Sequence, residues 1–362
     1  MPSFTHILFF LRFSQSRAVG GREKKPAYSF RSSDRMGNVR APVKLHSTRV
    51  SNTARVSSPE NPVHFIFLHG FLSHGGSLMS LARRLHECLA TERMAASVEA
   101  IVVDSRNHGR SPHTSTHTLE DMVADLREWL HWHGYVVAGK RAEGNLMTPR
   151  IIAVGHSMGT LTWAKYLLDH RHGDVHRAPV AGFVSLDMPP LTKSLFPSSL
   201  RNLLHEYIDY MRRVRLSAIT DMRSAHEEFN RCGIRDRRLQ GFLTTNLQII
   251  RKSGGAPPDV SWRCNLPVLD ENLRNGSIFL TDADARVCAR GEIDVPILSI
   301  LGAESEVGRH KRLQGLWKGC SIATTEEHIL PKAGHNVFYD DLSGTTSLIA
   351  GFARRLETLQ TS

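Results

Sequence analysis

The chain has little cysteine, no internal repeat and no long apolar run, and each shortage narrows what it can be. Cys88, Cys232, Cys264, Cys288 and Cys320 are its only cysteines, odd in number, widely spaced and without a C-x-x-C pair. A disulfide framework and a zinc ribbon are therefore disfavoured, and a reducing compartment is expected. No uncharged apolar stretch approaches the ~18 residues a spanning helix requires, which argues against an integral membrane protein. Glycine and proline follow no period, which removes collagen and solenoid architectures. Phosphate-loop and dinucleotide glycine signatures are also missing, so no nucleotide cofactor is expected. At 362 residues the chain can still bury a large core, as one elaborated domain or two small ones.

The formal net charge of +11 suggests nucleic acid until it is located. Residues 1–60 hold 11 Lys and Arg against Glu23, Asp34 and Glu60, which leaves 35 basic and 32 acidic residues for the other 302. Phosphate binding without sequence preference needs a basic face on the folded domain, so no nucleic-acid partner is expected. The head of the chain is rich in Arg and Ser, with one short apolar stretch from Ile7 to Leu11. That composition fits a mitochondrial transit peptide over 1–60, with a secretory signal or a plain basic tail (and then a cytoplasmic protein) as alternatives. The fold proper is expected to begin near Val63.

Val63–Leu68, Val98–Asp104, Arg150–Val154 and Val180–Leu186 are short buried strands by their apolar runs, alternating with helices at about 77–89, 119–132 and 158–170. Thr118 to Asp121 reads as a capping-box-like start for the second helix. Such alternation implies an α/β fold, a mostly parallel sheet with helices on both faces. The pattern breaks over 188–293, a stretch rich in Arg, Leu and Tyr without a strong buried strand. It resumes at Val295–Leu301 and Glu326–Leu330, followed by a terminal helix. Residues 61–187 and 294–362 are thus expected to form the core, and 188–293 a helical cap over the carboxyl ends of the strands, where such sheets bind ligands.

Gly155-His156-Ser157-Met158-Gly159 is a G-x-S-x-G pentapeptide placed directly after an apolar strand and at the start of a helix. That is the context of a nucleophile elbow, where a sharp turn lifts the serine hydroxyl above the sheet edge. Serine is a poor nucleophile at neutral pH and needs a general base. His335, in Ala333-Gly334-His335-Asn336 after the last strand, is placed to supply it. A carboxylate must then fix the imidazole tautomer. The usual location, after the next-to-last strand, reads Gly302-Ala303-Glu304-Ser305-Glu306, with serine where an acid is expected. Asp187, at the end of the strand after the elbow helix, is favoured; Glu304 or Glu306 is the alternative, and Asp270 a more distant one. Two backbone N–H groups should converge on the developing oxyanion, one from Met158 and one from Phe71 in the His69-Gly70-Phe71 turn.

Together with Phe67-Leu68-His69-Gly70-Phe71 and Asp104-Ser105-Arg106-Asn107-His108-Gly109-Arg110-Ser111-Pro112, the pentapeptide resembles the α/β-hydrolase superfamily. Within it, the Asp-x-Arg-Asn-His-Gly-x-Ser-Pro string is similar to the mitochondrial abhydrolase-domain subgroup and its bacterial esterase relatives. Phe242-Leu243-Thr244-Thr245-Asn246-Leu247 and Trp262-Arg263 carry the same likeness into the insert. The resemblance implies a serine hydrolase of small acyl esters or thioesters, working through an acyl-enzyme on Ser157 without a cofactor. It also implies that an acid after the next-to-last strand can be absent, in keeping with Ser305 and Asp187. Dehalogenases and epoxide hydrolases of this fold carry aspartate where Ser157 stands, which disfavours both. An acyltransferase or carbon–carbon hydrolase with the same triad, and a silent scaffold that binds a partner, remain alternatives.

No metal is expected. His131 and His133 lie two apart on a helix and point to different faces, and His113 and His117 lack the acidic partner of a metal motif. The insert arginines Arg212, Arg213, Arg215, Arg235, Arg237 and Arg238 read as a solvated helix face, with attraction to acidic substrates or an anionic membrane surface as the alternative.

Overall fold

The computed structural model describes residues 41–50, 63–90, 98–136, 150–170 and 177–361. In chain order these carry β1 (Ser47–Val50), β2 (Val63–Leu68), α1 (Met79–Ala90), β3 (Val98–Val103), α2 (Leu119–Trp132), β4 (Arg150–His156), α3 (Met158–Asp169) and β5 (Val180–Leu186). Then come α4 (Ser198–Arg213), α5 (Met222–Arg231), α6 (Arg237–Thr245), β6 (Leu247–Ile250), β7 (Asp259–Trp262), α7 (Leu266–Asn275) and α8 (Asp282–Cys288). The chain closes with β8 (Ile297–Gly302), β9 (Thr325–Leu330), α9 (Val337–Asp340) and α10 (Leu342–Thr361).

Every residue of β2 is buried, and its neighbours in sequence face opposite ways. Phe65 and Phe67 join a cluster with Leu81, Leu85, Phe352 and Leu356 of α1 and α10, while Ile66 and Leu68 join one with Leu126 and Trp163 of α2 and α3. Burial on both faces is why the strand reads as a continuous apolar run. Each such side chain contributes roughly 1.5–3 kcal/mol on leaving water. Thr118 caps α2 as its sequence suggests, its hydroxyl accepting from the Asp121 N–H while the Asp121 carboxylate accepts from the Thr118 N–H.

The main sheet has seven strands in the order β1-β3-β2-β4-β5-β8-β9, all parallel except β1. The chain runs outward from β2 to β3, then returns to place β4 on the other side of β2. This reversal is a topological switch point, the place where open α/β sheets bind ligands beyond the strand ends.

Two sequence expectations change. Residues 41–50 are not part of the basic extension: β1 pairs antiparallel with β3, Leu45 is buried, and the Val43 N–H donates to Asp125 at 2.7 Å. Only Val50 of Ser47–Val50 is apolar, so this half-exposed edge strand carries no hydrophobic signal. The rest of 1–60, with its transit-peptide reading, lies outside the described residues. The insert also holds more than helices, since β6 and β7 form an antiparallel hairpin. Helix α8, near the end of 188–293, sits on the core, where Asp284 lies 3.3 Å from Lys165 of α3.

Among the described residues none of the five cysteines forms a disulfide, and no helix is long and apolar enough to cross a membrane.

Candidate active site

Strand register brings the candidate residues to one edge. Leu68 pairs with Gly155, His156 with Leu186, Leu186 with Ile300, and Gly302 with Leu330. The segments that follow these pairs carry Phe71, Ser157, Asp187, Ser305 and His335. All five therefore leave the sheet on the same side, at and beside the switch point.

Ser157 has φ 51° and ψ −116°, a backbone conformation that side chains other than glycine rarely adopt. Such strain amounts to roughly 1–3 kcal/mol and persists only where surrounding structure enforces it. Here the Ser157 N–H donates to the Leu186 carbonyl at 3.1 Å, which ties the turn to β5. Gly159 lets α3 start against β2, because a Cβ there would lie 2.3 Å from the Leu68 carbonyl oxygen. Gly159→Ala should push the helix from the strand and lower stability by about 1–3 kcal/mol. A fall in the urea midpoint at unchanged slope would show it, and an unchanged midpoint would refute this packing account.

Asp187 is a second strained position, with φ 50°, and it is fully buried. Its Oδ2 accepts from His335 Nδ1 at 2.7 Å, and its Oδ1 accepts from the Gly302 N–H at 2.8 Å and the Ser305 hydroxyl at 3.0 Å. Ser305 in turn accepts from the Gly308 N–H at 2.6 Å, so its orientation is fixed. The alternative acids lie elsewhere. Glu304 is exposed, and the Glu306 carboxylate is taken by Arg309 at 3.2 Å and Ser199 at 2.7 Å. Asp270 is held by His205, Arg212 and Arg274 inside the insert.

The His335 side chain is 28% exposed, and its carbonyl accepts from His156 Nε2 at 2.9 Å. Thus the residue before Ser157 holds the backbone of His335, and the two rings lie 4.8 Å apart. Among the described residues no hydrogen bond joins Ser157 Oγ to His335. With Nδ1 committed to Asp187, the other ring nitrogen is the one able to exchange a proton.

The turn after β2 approaches the elbow closely, since a Cβ on Gly70 would lie 3.1 Å from Ser157 Cβ. His69 sets the orientation of this turn. Its Nε2 accepts from the Ser105 N–H at 3.0 Å, so Nδ1 carries the proton and donates to the Gly70 carbonyl at 2.8 Å. A trans peptide points its N–H away from its C=O, so holding the Gly70 carbonyl also aims the Phe71 N–H. Met158 opens α3, where first-turn amides have no acceptor within the helix. Asn246 braces the next residue, donating from Nδ2 to the Leu72 carbonyl at 2.7 Å. Sequence reading missed the bracing roles of His69, His156, Asn246 and Ser305. The two histidines stood inside recognised motifs, but only their hydrogen bonds separate bracing from turn chemistry.

The Asp-x-Arg-Asn-His-Gly string wedges beneath this turn. Arg106 is buried and pairs with Asp125 through Nε at 2.6 Å and Nη2 at 2.7 Å, locking the loop to α2. The His108 ring lies 5.1 Å from both His69 and His117. Burial lowers the pKa of His69 to about 4 and of His117 to about 3, and holds His108 and His156 well below the ordinary value. All four are neutral in the folded protein near pH 7. As pH falls below roughly 6.5, the unfolded chain takes up protons that the native state refuses. Each histidine then removes up to about 1.4 kcal/mol per pH unit, until its own folded pKa is reached. Urea midpoints should therefore fall between pH 7 and pH 4.5, and less steeply in His117→Gln. A flat profile would contradict the burial of these rings as neutral groups.

Comparison with known proteins agrees with this fold. The sequence pattern of the alpha/beta hydrolase family matches residues 65–343. The chain belongs to the α/β-hydrolase family. It is 28% identical over 295 residues to the Mus musculus sn-1-specific diacylglycerol lipase ABHD11, spanning 79% of this chain and 80% of that protein. The Danio rerio protein of the same name is 26% identical over 247 residues, which span 62% of this chain and 64% of that protein, under two thirds of its length. A Saccharomyces cerevisiae probable alcohol acetyltransferase is 30% identical over 107 residues, 30% of this chain and 26% of that protein. Among solved structures, a marine microorganism esterase superposes with a TM-score of 0.64 at 20% identity, covering 86% of this chain and 99% of that one. At that identity the likeness speaks for the fold. The family and these relatives support an ester hydrolase in general terms.

Proposed function

We propose that the protein is a serine hydrolase that cleaves carboxylic esters or thioesters through an acyl-enzyme on Ser157. The observation that carries this reading is the 2.7 Å bond between buried Asp187 and His335, beside a strained serine at the switch point. In the proposed cycle His335 takes the Ser157 proton as Oγ attacks the acyl carbon. The tetrahedral oxyanion is held by the Phe71 and Met158 N–H groups. His335 then protonates the departing alcohol or thiol, and afterwards activates water to release the acid and restore the serine. Asp187 keeps the tautomer and stabilises the imidazolium, and Ser305, His69, His156 and Asn246 hold the parts in place.

The relatives named as diacylglycerol lipases favour acyl esters of lipids as substrates, and residues 188–293 serve as the cap over the site. The basic head of the chain supports action in mitochondria. Arg212 and Arg215 are paired with Asp270 and Glu228, which leaves Arg235, Arg237 and Arg238 as exposed basic groups of the insert. The partial likeness to an acetyltransferase supports a second reading, in which an alcohol replaces water at the deacylation step. A screen of acyl esters and acyl thioesters of graded length, with and without added alcohol, tests both. Release of free acid supports hydrolysis and accumulation of a new ester supports transfer. No turnover of any activated acyl compound by folded protein would refute both.

A further inference from the structure

Among the described residues four that are not glycine have a left-handed φ: Leu72 at 54°, Asn107 at 63°, Ser157 at 51° and Asp187 at 50°. They follow the carboxyl ends of β2, β3, β4 and β5 in turn. Such conformations persist only where neighbouring structure enforces them. Ser157 and Asp187 are held from within the core, through the Leu186 carbonyl of β5 and the Gly302 N–H of β8. Leu72 and Asn107 are held from the insert, each by an asparagine. Asn246 Nδ2 donates to the Leu72 carbonyl at 2.7 Å. Asn265 donates from its backbone N–H to the Asn107 carbonyl at 2.9 Å, and from Nδ2 to Asn107 Oδ1 at 3.1 Å and the Thr114 carbonyl at 3.0 Å.

Asn246 is itself firmly seated. It is fully buried at the end of α6, its N–H donates to the Leu243 carbonyl at 3.1 Å, and its carbonyl accepts from the Arg263 N–H at 2.7 Å. Its Oδ1 is enclosed without a hydrogen-bond partner among the described residues. An unmatched buried acceptor lowers stability, so packing alone does not account for an amide at this position. The two anchors bracket the oxyanion donors. Phe71 lies between the Gly70 carbonyl, held by His69 of the core at 2.8 Å, and the Leu72 carbonyl, held by Asn246. Its ring centroid is 6.2 Å from that of His108 and 6.4 Å from that of His117, and His117 Nε2 is 3.2 Å from Met158 Sδ. The side chains of both donor residues thus rest on the loop that Asn265 anchors.

We propose that Asn246 and Asn265 are positioning residues through which the insert sets the oxyanion hole. Asn246 fixes the turn that carries the Phe71 N–H, and Asn265 fixes the loop against which Phe71 and Met158 pack. This deepens the acyl-enzyme reading and rests on it: the insert becomes part of the catalytic framework as well as a cover. Asn246 carries the larger share, because Asn107 is also tied within its own loop to Thr114 and Thr116. Displacing a donor by a fraction of its bond length weakens its hold on developing charge without changing how the ground-state substrate is bound.

The test compares full-length wild type, Asn246→Ala, Asn246→Leu and Asn265→Ala on an activated ester and on a trifluoromethyl ketone with the same acyl chain. Ser157 Oγ adds to the ketone carbon, its proton passes to His335, and the carbonyl electron pair stays on oxygen as the oxyanion. Ketone affinity therefore reports the hole, whereas KM does not. Rates are referred to the sites that a fluorophosphonate titrates, so unfolded molecules are not counted. Asn246→Ala should lower kcat per site by roughly ten- to hundredfold and weaken the ketone by the same factor, with KM within about threefold of wild type. Asn265→Ala should do the same by a smaller factor. Asn246→Leu, of similar shape, should lose as much activity as Asn246→Ala with a smaller fall in thermal stability. Fewer titratable sites with kcat per site and ketone affinity unchanged would reveal a merely structural role and overturn the proposal. So would a fall in kcat without a matching loss of ketone affinity. Wild type that neither cleaves the ester nor binds the ketone would overturn the acyl-enzyme reading as well, whereas active wild type matched by both Asn246 variants would overturn this proposal alone.

Discussion

Ser157→Ala is expected to lower kcat for ester hydrolysis by about 10⁶-fold, the loss seen when a group that acts as one unit with its base is removed. The magnitude follows from what remains. Without the hydroxyl no acyl-enzyme forms, so the His335–Asp187 pair has no nucleophile to activate. Only substrate binding and the two N–H donors are left to act on adventitious water attack. Strain at Ser157 predicts a second effect with the opposite sign for stability. Ser157→Gly relieves a φ of 51° and should raise the urea midpoint while activity is equally lost. Steady-state kinetics on one activated ester checks the first effect. Activity of Ser157→Ala within tenfold of wild type would remove this residue from the mechanism.

Asp187→Asn should lower kcat by about 10⁴-fold. The amide is nearly the same size, but it can present a donor to His335 Nδ1 and so favour the wrong tautomer, with the proton on the nitrogen that must accept from serine. It also no longer stabilises the imidazolium. Because Asp187 takes two further hydrogen bonds, from Gly302 and Ser305, the same change should destabilise the fold, and urea unfolding must accompany the kinetics. Glu304→Gln and Glu306→Gln should leave kcat within a few fold, since one carboxylate is exposed and the other is held by Arg309 and Ser199. A larger loss in either glutamate variant than in Asp187→Asn would show that the wrong acid has been assigned.

How much of this was legible in the sequence differs by element, for physical reasons. Strands buried on both faces, such as Val63–Leu68 and Val180–Leu186, announce themselves as apolar runs. Helix α2 is bounded by a capping box that can be read directly from Thr118 and Asp121. Strand β1 carries one apolar residue, and β6 and β7 are four residues each, too short for the alternation of Leu247 with Ile249 and of Val260 with Trp262 to stand out from a helical stretch. In the site, Ser157 and His335 stand out because a turn and a strand end restrict what such residues can do there. The choice between Asp187 and the glutamates was harder. An unusual serine at position 305 removes the ordinary solution, but only the fold shows that its hydroxyl donates to Asp187. The bracing by Asn246 spans 174 positions of chain, and no local pattern reports a contact of that range.

The most direct test is to react the protein with a fluorophosphonate and map the modified peptide by mass spectrometry, in wild type and in His335→Ala. The account predicts one phosphonyl group per chain, on Ser157, with labelling slowed by orders of magnitude when the imidazole is removed. Modification of another residue, or labelling of Ser157 at the same rate without His335, would contradict it.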